Sequence, residues 1–218
     1  MLFIIIFTLY FKELYNMEEK NYLHDIREIK SLMNRSSRFM SLSGLSGILA
    51  GVYALIGAGI AYFYFLPNEG DLLLLHSHQF KILVFILIGV FVLSLATAIG
   101  LTIRKTKKNN EKIWDPTTQK LLISFLIPFV VGAAYILIKL NSQHYGLTAS
   151  LMLIFYGLAL VNASKYTFGH VQYLGYVQII LGLICAIFPG YGLWFWAAGF
   201  GLGHIVYGTV MYCNEIRK

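Results

Sequence analysis

The residue best suited to chemistry in this chain is His204, which lies in a stretch of small and apolar residues. The local sequence is GFGLGH (residues 199–204), and Tyr207 follows about one helical turn later. An ionisable group inside a membrane span is a functional candidate, because burying charge in a bilayer is costly. The alternative, which we favour, is a neutral histidine hydrogen-bonded to a neighbouring helix. Its candidate partners are Asn162, Tyr176 and Gln178.

Histidine spacing gives little support for a haem or a metal centre. Haem ligation on both faces needs a second histidine at a similar depth. If antiparallel helices meet at residues 189–190, His170 would lie roughly 9 Å deeper than His204. The His-x-His pattern at 76–78 is too common to indicate a metal site on its own. The sequence therefore predicts no cofactor and no metal.

Acidic residues are absent from the apolar stretches, since all ten Asp and Glu residues lie outside them. Proton relays and cation-coupled carriers commonly place a carboxylate within the membrane. Acid–base catalysis by paired carboxylates has the same requirement here. The motifs of phosphate-binding loops, zinc proteases and serine hydrolases are also missing. These absences argue against an enzyme.

Two apolar stretches contain proline or glycine at positions that suggest a cavity. One has Pro128 and Gly132, and the other has Gly199 and Gly203. If six helices form two inverted halves of three, these stretches correspond, and such matched interruptions point to a midplane site in transporters. The hypothesis is a ligand-binding cavity lined by these four residues and His204. Against it, the halves share no convincing sequence similarity, and glycine in membrane helices usually serves packing.

Small residues at four-residue spacing predict two faces for close helix packing. Ser43, Gly47 and Gly51 form one face, and Gly199 and Gly203 form the other. Such faces let helices approach closely, either within one protomer or between protomers. The pattern is therefore compatible with a homo-oligomer as well as with packing inside a single chain.

The composition indicates that a membrane surrounds most of the chain. Of the 218 residues, 58% are hydrophobic and 12% are charged, and the mean hydropathy is +0.68. A soluble domain is about a quarter charged, so this chain lacks the polar groups to cover a globule. Six apolar segments of about 20 residues predict an all-α bundle of six transmembrane helices. The predicted spans are 43–66, 79–103, 119–139, 146–164, 171–188 and 191–212.

The distribution of positive charge predicts the orientation. With both termini in the cytoplasm, only Lys81 and Lys139 of the 17 Lys and Arg residues fall outside the cell. Because short cytoplasmic loops retain Lys and Arg, we predict a multi-pass protein of the plasma (inner) membrane with a cytosolic tail at 213–218. The net charge of +7 then reflects topology and contact with anionic lipid headgroups, and nucleic acid is not a predicted partner.

The first 42 residues are not predicted to cross the membrane. Residues 1–16 begin with an apolar run that is too short to span and lacks the features of a secretory signal. They are interpreted either as a leader at the inner leaflet or as an over-extended start ahead of Met17. Residues 17–42 are predicted to hold a cytosolic amphipathic helix and a juxtamembrane segment. The apolar face of that helix either packs on the inner loops or binds a cytosolic partner through residues 17–40.

Two classes of function follow from these features. The first is a non-enzymatic interaction or regulatory membrane protein. The second is a small carrier or channel for a neutral or hydrophobic solute, with a midplane site near His204. The lack of carboxylates within the spans favours the first class.

Overall fold

The computed structural model describes residues 43–65, 78–109, 113–142, 144–167 and 171–217. Over these ranges the chain is helical and contains no β-strand, and it forms six successive helical segments, the number that the sequence predicts. The predicted leader and amphipathic helix at 1–42 lie outside the described residues.

Five of the segments are simple α-helices, and the sixth is composite. The five are α1 (Gly44–Phe65), α2 (His78–Lys108), α3 (Pro116–Asn141), α4 (Thr148–Ala163) and α5 (Val171–Ile187). A short 3₁₀ turn, Ser164–Tyr166, follows α4. The sixth segment consists of α6 (Gly192–Trp196), a π-helix (Ala197–Gly203) and α7 (His204–Ile216).

Helix length and exposure identify a membrane protein. Among the described residues, four helical stretches are long and apolar enough to cross a membrane: Gly44–Tyr64, Phe80–Lys108, Pro116–Asn141 and Thr148–Tyr166. None of the most apolar part of α2 and only 6% of that of α3 is buried inside the protein. Soluble monomers rarely expose continuous apolar surface of this extent, so lipid is the environment that these two helices fit.

Local sequence explains where α2 and α3 end and begin. Asp115 caps α3 by accepting hydrogen bonds from the backbone N–H and the hydroxyl of Thr118, both at 2.6 Å, and Pro116 occupies the first turn. The helical structure of α3 continues through Pro128. At its carboxyl end α2 runs on to Lys108, because Lys and Arg form helices well and their charge is favourable at a helix C-terminus.

Glycines bring α1 into backbone contact with the sixth segment. A Cβ placed on Gly51 would lie 2.6 Å from the carbonyl oxygen of Gly201, and one on Gly47 would lie 3.1 Å from Cα of Gly208. A Cβ on Gly208 would overlap the backbone nitrogen of Ile48. Dispersion contacts and backbone proximity of this kind drive association between membrane helices.

A second glycine contact joins α4 to α5. A Cβ on Gly157 would lie 2.7 Å from the carbonyl oxygen of Gly175, and one on Gly182 would lie 3.0 Å from the backbone nitrogen of Ile154. The buried hydroxyl of Ser150 donates to the carbonyl of Gly182 at 2.7 Å. Close backbone approach therefore joins two pairs of elements: α1 with the sixth segment, and α4 with α5.

Candidate functional site

His204 is the centre of a buried polar cluster between helices. Its side chain, in a residue only 8% exposed, begins α7 directly after the π-helix. Nε2 lies 2.7 Å from the hydroxyl oxygen of Tyr156 on α4, and Nδ1 lies 3.3 Å from the carbonyl oxygen of Gly199. The carbonyl can only accept, so this network assigns the proton to Nδ1 and leaves Nε2 to accept from the Tyr156 hydroxyl. A neutral histidine thus uses both ring nitrogens.

Gln178 on α5 shares the same carbonyl acceptor. The residue is fully buried, and its Nε2 donates to the Gly199 carbonyl at 2.8 Å. Its Oε1 has no hydrogen-bond partner among the described residues. A Cβ on Gly199 would lie 2.5 Å both from this oxygen and from a methyl group of Leu153. Because Gly199 has no side chain, the Gln178 amide can approach its backbone and donate a hydrogen bond to its carbonyl.

The π-helix supplies the backbone carbonyl that both Gln178 and His204 contact. Ala197–Gly203 contains three glycines in seven residues, at positions 199, 201 and 203. Glycine weakens the preference for α-helical geometry, which favours a local departure from it. Within helices, π-turns are rare and are frequently found at functional sites. This segment was expected to be interrupted, and the form of the interruption is a widened turn.

Aromatic rings enclose the His204–Tyr156 pair. The Phe200 ring stacks on His204 at 6.0 Å and 11° and lies 5.0 Å from Tyr156 and 5.2 Å from Trp196. Phe125 of α3 meets Tyr156 edge-on at 6.0 Å. The Trp196 indole Nε1 is buried and has no hydrogen-bond partner in the described part of the chain. The polar pair is thus packed against rings contributed by α3 and the sixth segment.

Of the two α3 residues predicted to line a cavity, Gly132 lies against α4. A Cβ on Gly132 would overlap Cβ and Cγ of Phe155, so the Phe155 side chain already occupies the space beside this glycine. Pro128 lies one turn earlier in the same helix. No hydrogen bond or ring contact between described residues links Pro128 or Gly132 to His204.

The other three predicted cavity residues do come together. Gly199 lies against Gln178, and a Cβ on Gly203 would lie 3.4 Å from Leu174 of α5 and 3.8 Å from the Gln178 amide nitrogen. His204 follows directly and bonds back to Gly199. The cavity itself stays a prediction; Gly199 and Gly203 lie at the interface of the sixth segment with α5, and His204 bonds to Tyr156 of α4.

The predicted packing face of α1 lies on the sixth segment. Gly47 and Gly51 make the backbone contacts with Gly208 and Gly201 given above. Ser43 precedes α1 and accepts a hydrogen bond from the Ser46 hydroxyl through its carbonyl at 2.6 Å. Ser43 therefore shapes the start of the helix.

Sequence reasoning missed Tyr156 as the partner of His204. Of the three predicted partners, Asn162 donates instead to the Ser124 carbonyl at 2.8 Å, and Tyr176 is 47% exposed. Gln178 meets His204 only through their shared acceptor. Membrane depth could have identified this pair from the sequence, because Tyr156 and His204 both lie near the middle of their predicted spans, 146–164 and 191–212.

A second polar contact joins three helix ends. The Oε1 atom of Glu215, near the end of α7, lies 2.8 Å from Nζ of Lys105 in the last turn of α2. The same oxygen accepts a hydrogen bond from the backbone N–H of Gly44 at 2.9 Å, where α1 begins. One carboxylate therefore connects α1, α2 and α7 at one end of the bundle.

The fold and these contacts define a helical membrane protein whose buried polar groups join its helices. Among the described residues, no group of three or more His, Cys, Asp and Glu side chains is placed to hold a metal ion. No known protein family, curated protein or solved structure shows significant similarity to this chain. Its function is therefore argued from the chemistry of its own residues.

Proposed function

We propose that this protein is a non-enzymatic interaction or regulatory protein of the plasma (inner) membrane. The observation that carries the proposal is how its interior polar groups are used. Nε2 of His204 and the amide nitrogen of Gln178 form hydrogen bonds that link helices, and Nδ1 of His204 bonds back to Gly199 within the sixth segment, all inside a shell of aromatic rings. Polar groups committed to helix association leave the outer surfaces to carry the function.

The proposal includes six membrane crossings with both termini in the cytoplasm. The Glu215 contact supports this arrangement, because the start of α1 and the ends of α2 and α7 must then lie on the same side. The basic last turn of α2 fits the cytoplasmic side. Two crossings are less obvious by length, since α5 has 17 residues and the sixth segment is divided by its π-helix. Seventeen residues is the lower limit for a transmembrane helix.

The proposed partner is a cytosolic protein bound through residues 17–40, and a second copy of the chain is a further candidate. Residues 17–40 precede α1, whose first backbone N–H is held by Glu215. Residues 17–40 themselves lie outside the described residues. The glycine faces of α1 are used within the chain, so oligomer formation would have to use other surfaces.

Deletion of residues 17–40 tests the proposal. The full chain and the deletion variant are expressed in the native cell, cross-linked and purified, and the co-purified proteins are identified. We expect the deletion to lose a specific partner while its thermal unfolding in detergent matches that of the full chain. His204→Ala is the matched control, because it should lower thermal stability and keep the partner. Retention of every partner by the deletion variant would contradict the proposal.

A small carrier for a neutral or hydrophobic solute is the second candidate. It is favoured by two buried polar atoms without partners, Gln178 Oε1 and Trp196 Nε1, near the π-helix. A buried unsatisfied group costs about 1–3 kcal/mol, and a solute with one donor and one acceptor would satisfy both. Proteoliposome swelling in glycerol and in urea measures such transport. If His204→Ala and Gly203→Leu leave both swelling rates unchanged while the protein stays folded, this candidate is lost.

A further inference from the structure

The last turns of α2 extend beyond the hydrocarbon core of a bilayer. The apolar stretch Phe80–Lys108 has 29 residues, which is about 43 Å of helix, whereas the hydrocarbon core is about 30 Å thick. The three basic residues of the last turn mark the end that leaves the hydrocarbon. This end therefore lies at the depth of the lipid headgroups.

One face of this end turns toward the protein and the other turns away. Thr106 is fully buried, and Lys105 is paired with Glu215. Arg104, Lys107 and Lys108 are exposed, and their spacing of three and four residues places them on a common helix face opposite Thr106. The three cations thus form an outward-facing cluster.

Both carboxylates in the described ranges are already engaged. The described ranges contain two acidic side chains, Asp115 and Glu215. Asp115 caps α3 through Thr118, and Glu215 holds Lys105 and the start of α1. Within the described residues, Arg104, Lys107 and Lys108 therefore have no acidic side chain left to neutralise them, and an external anion would be favourable there.

An open apolar strip leads along α2 to the cations. Leu93, Gly100 and Arg104 follow one another at seven and four residues, so they lie on the same face. Leu93 is 55% exposed, and a Cβ on Gly100 would meet nothing within 4 Å. The face thus combines an apolar strip that no described residue covers, at acyl-chain depth, with positive charge that no described carboxylate neutralises, at headgroup depth.

We propose that this face of α2, made by Leu93, Gly100, Arg104, Lys107 and Lys108, binds an anionic glycerophospholipid. The cations bind its phosphate and acidic headgroup, and an acyl chain lies along Leu93 and over Gly100. A zwitterionic lipid fits less well, because the cationic group of its own headgroup already neutralises its phosphate. A nucleic acid fits less well, since it has no part that matches the apolar strip.

Native mass spectrometry of the full chain in detergent, titrated with phosphatidylglycerol or phosphatidylcholine, tests the proposal. We expect tighter binding of phosphatidylglycerol, and a fall of about 30-fold in its affinity for Lys107→Gln/Lys108→Gln at low ionic strength. The matched control, Lys81→Gln/Lys165→Gln, also removes two exposed lysines and should change the affinity less than about threefold. Equal binding of the two lipids, or equal losses in the two double variants, would overturn the proposal.

Two further measurements separate a lipid site from a simple anion site. Glycerol phosphate and inorganic phosphate at millimolar concentration should not displace phosphatidylglycerol, because they lack an acyl chain. Gly100→Leu should weaken lipid binding without any change of charge, because it fills the open strip. Displacement by inorganic phosphate, or unchanged binding to a folded Gly100→Leu variant, would show that no acyl chain lies there and overturn the proposal. Circular dichroism and thermal unfolding establish that each variant is folded.

Discussion

The closely packed part of the bundle, formed by α1, α4, α5 and the sixth segment, differs sharply from the outer helices α2 and α3. All six segments are apolar, but only the first group brings glycines into contact with neighbouring backbones. In α2, a Cβ on Gly89 or Gly100 would meet nothing within 4 Å. Ala96 and Gly100 even have the four-residue spacing of a packing face and remain exposed. Spacing alone therefore does not produce an interface, which also requires a complementary neighbour.

Buried polar groups show the same division. The hydrogen bonds of His204, Gln178 and Ser150 all lie between α4, α5 and the sixth segment. In α2, the Thr97 hydroxyl bonds only to carbonyls of its own helix, at 2.9 and 3.0 Å. Inter-helix hydrogen bonds in membranes are modest individually, and these three coincide with the closest backbone packing. The Asn162 bond to the Ser124 carbonyl of α3 lies outside that part.

The largest expected effect comes from adding a methyl group where two backbones touch. Gly208→Ala should destabilise the protein by about 3 kcal/mol or prevent its folding, because the new Cβ overlaps the backbone of Ile48. Gly89→Ala is the matched control and should be neutral or slightly stabilising, since alanine favours helix and the space is open. Reversible unfolding in mixed micelles measures both. Similar effects of the two changes would remove the distinction between the two parts of the bundle.

A smaller effect is expected at the contact between the π-helix and α5. Gly199→Ala should cost about 2 kcal/mol, because its Cβ would press on the Gln178 amide and on Leu153. Gln178→Ala in the same chain should recover part of that loss by removing one of the two obstructing groups. The free energies of unfolding of the two single variants and the double variant give the coupling energy between positions 178 and 199. Strict additivity of the two changes would mean that Gln178 does not pack on Gly199.

The Tyr156–His204 hydrogen bond should contribute about 1 kcal/mol of coupling energy. A double-mutant cycle with Tyr156→Phe and His204→Ala measures it, and values of this size are typical between membrane helices. Tyr176→Phe serves as the control in place of Tyr156→Phe, because Tyr176 is exposed and should show no coupling to His204. A zero value for the Tyr156 cycle would mean that the hydroxyl and the ring do not interact.

The smallest expected effect is at the Glu215 contact. Glu215→Gln keeps an acceptor for the Gly44 N–H and loses the ion pair with Lys105, whose side chain is 24% exposed. We expect a loss of less than about 1 kcal/mol that shrinks as salt is added. Lys107→Gln, on the outward face of the same turn, should leave stability unchanged. A larger loss for Lys107→Gln than for Glu215→Gln would contradict the assignment of these two faces.

The helical fold and the number of segments were predictable, because hydrocarbon burial requires continuous apolar helices of a fixed length. The spacing of small residues also indicated the contact face of α1 at Gly47 and Gly51. The ends of the helices were harder to predict, because the Asp115 cap of α3 and the basic last turn of α2 extend these helices beyond the apolar stretches.

The candidate site was only partly predictable. His204 stood out because it is the ionisable residue in its span, but its partner Tyr156 is 48 residues away in the chain. Pairing between helices depends on rotation about each helix axis, which an almost uniformly apolar sequence does not encode. Gly157 is the one glycine of α4, and Gly175 and Gly182 of α5 are seven residues apart, so no four-residue spacing of glycines predicted their contact.

The π-helix makes chain length in the sixth segment as critical as side-chain identity. Its glycines alternate between neighbours, since Gly199 and Gly203 face α5 while Gly201 contacts Leu55 of α1. Deleting one residue from Ala197–Gly203 would favour ordinary α-geometry and turn everything beyond it by about 100°. Gly208 would then rotate away from Ile48 while Gly199 stayed in place. Mutational scanning should therefore find single-residue deletions here more damaging than most substitutions.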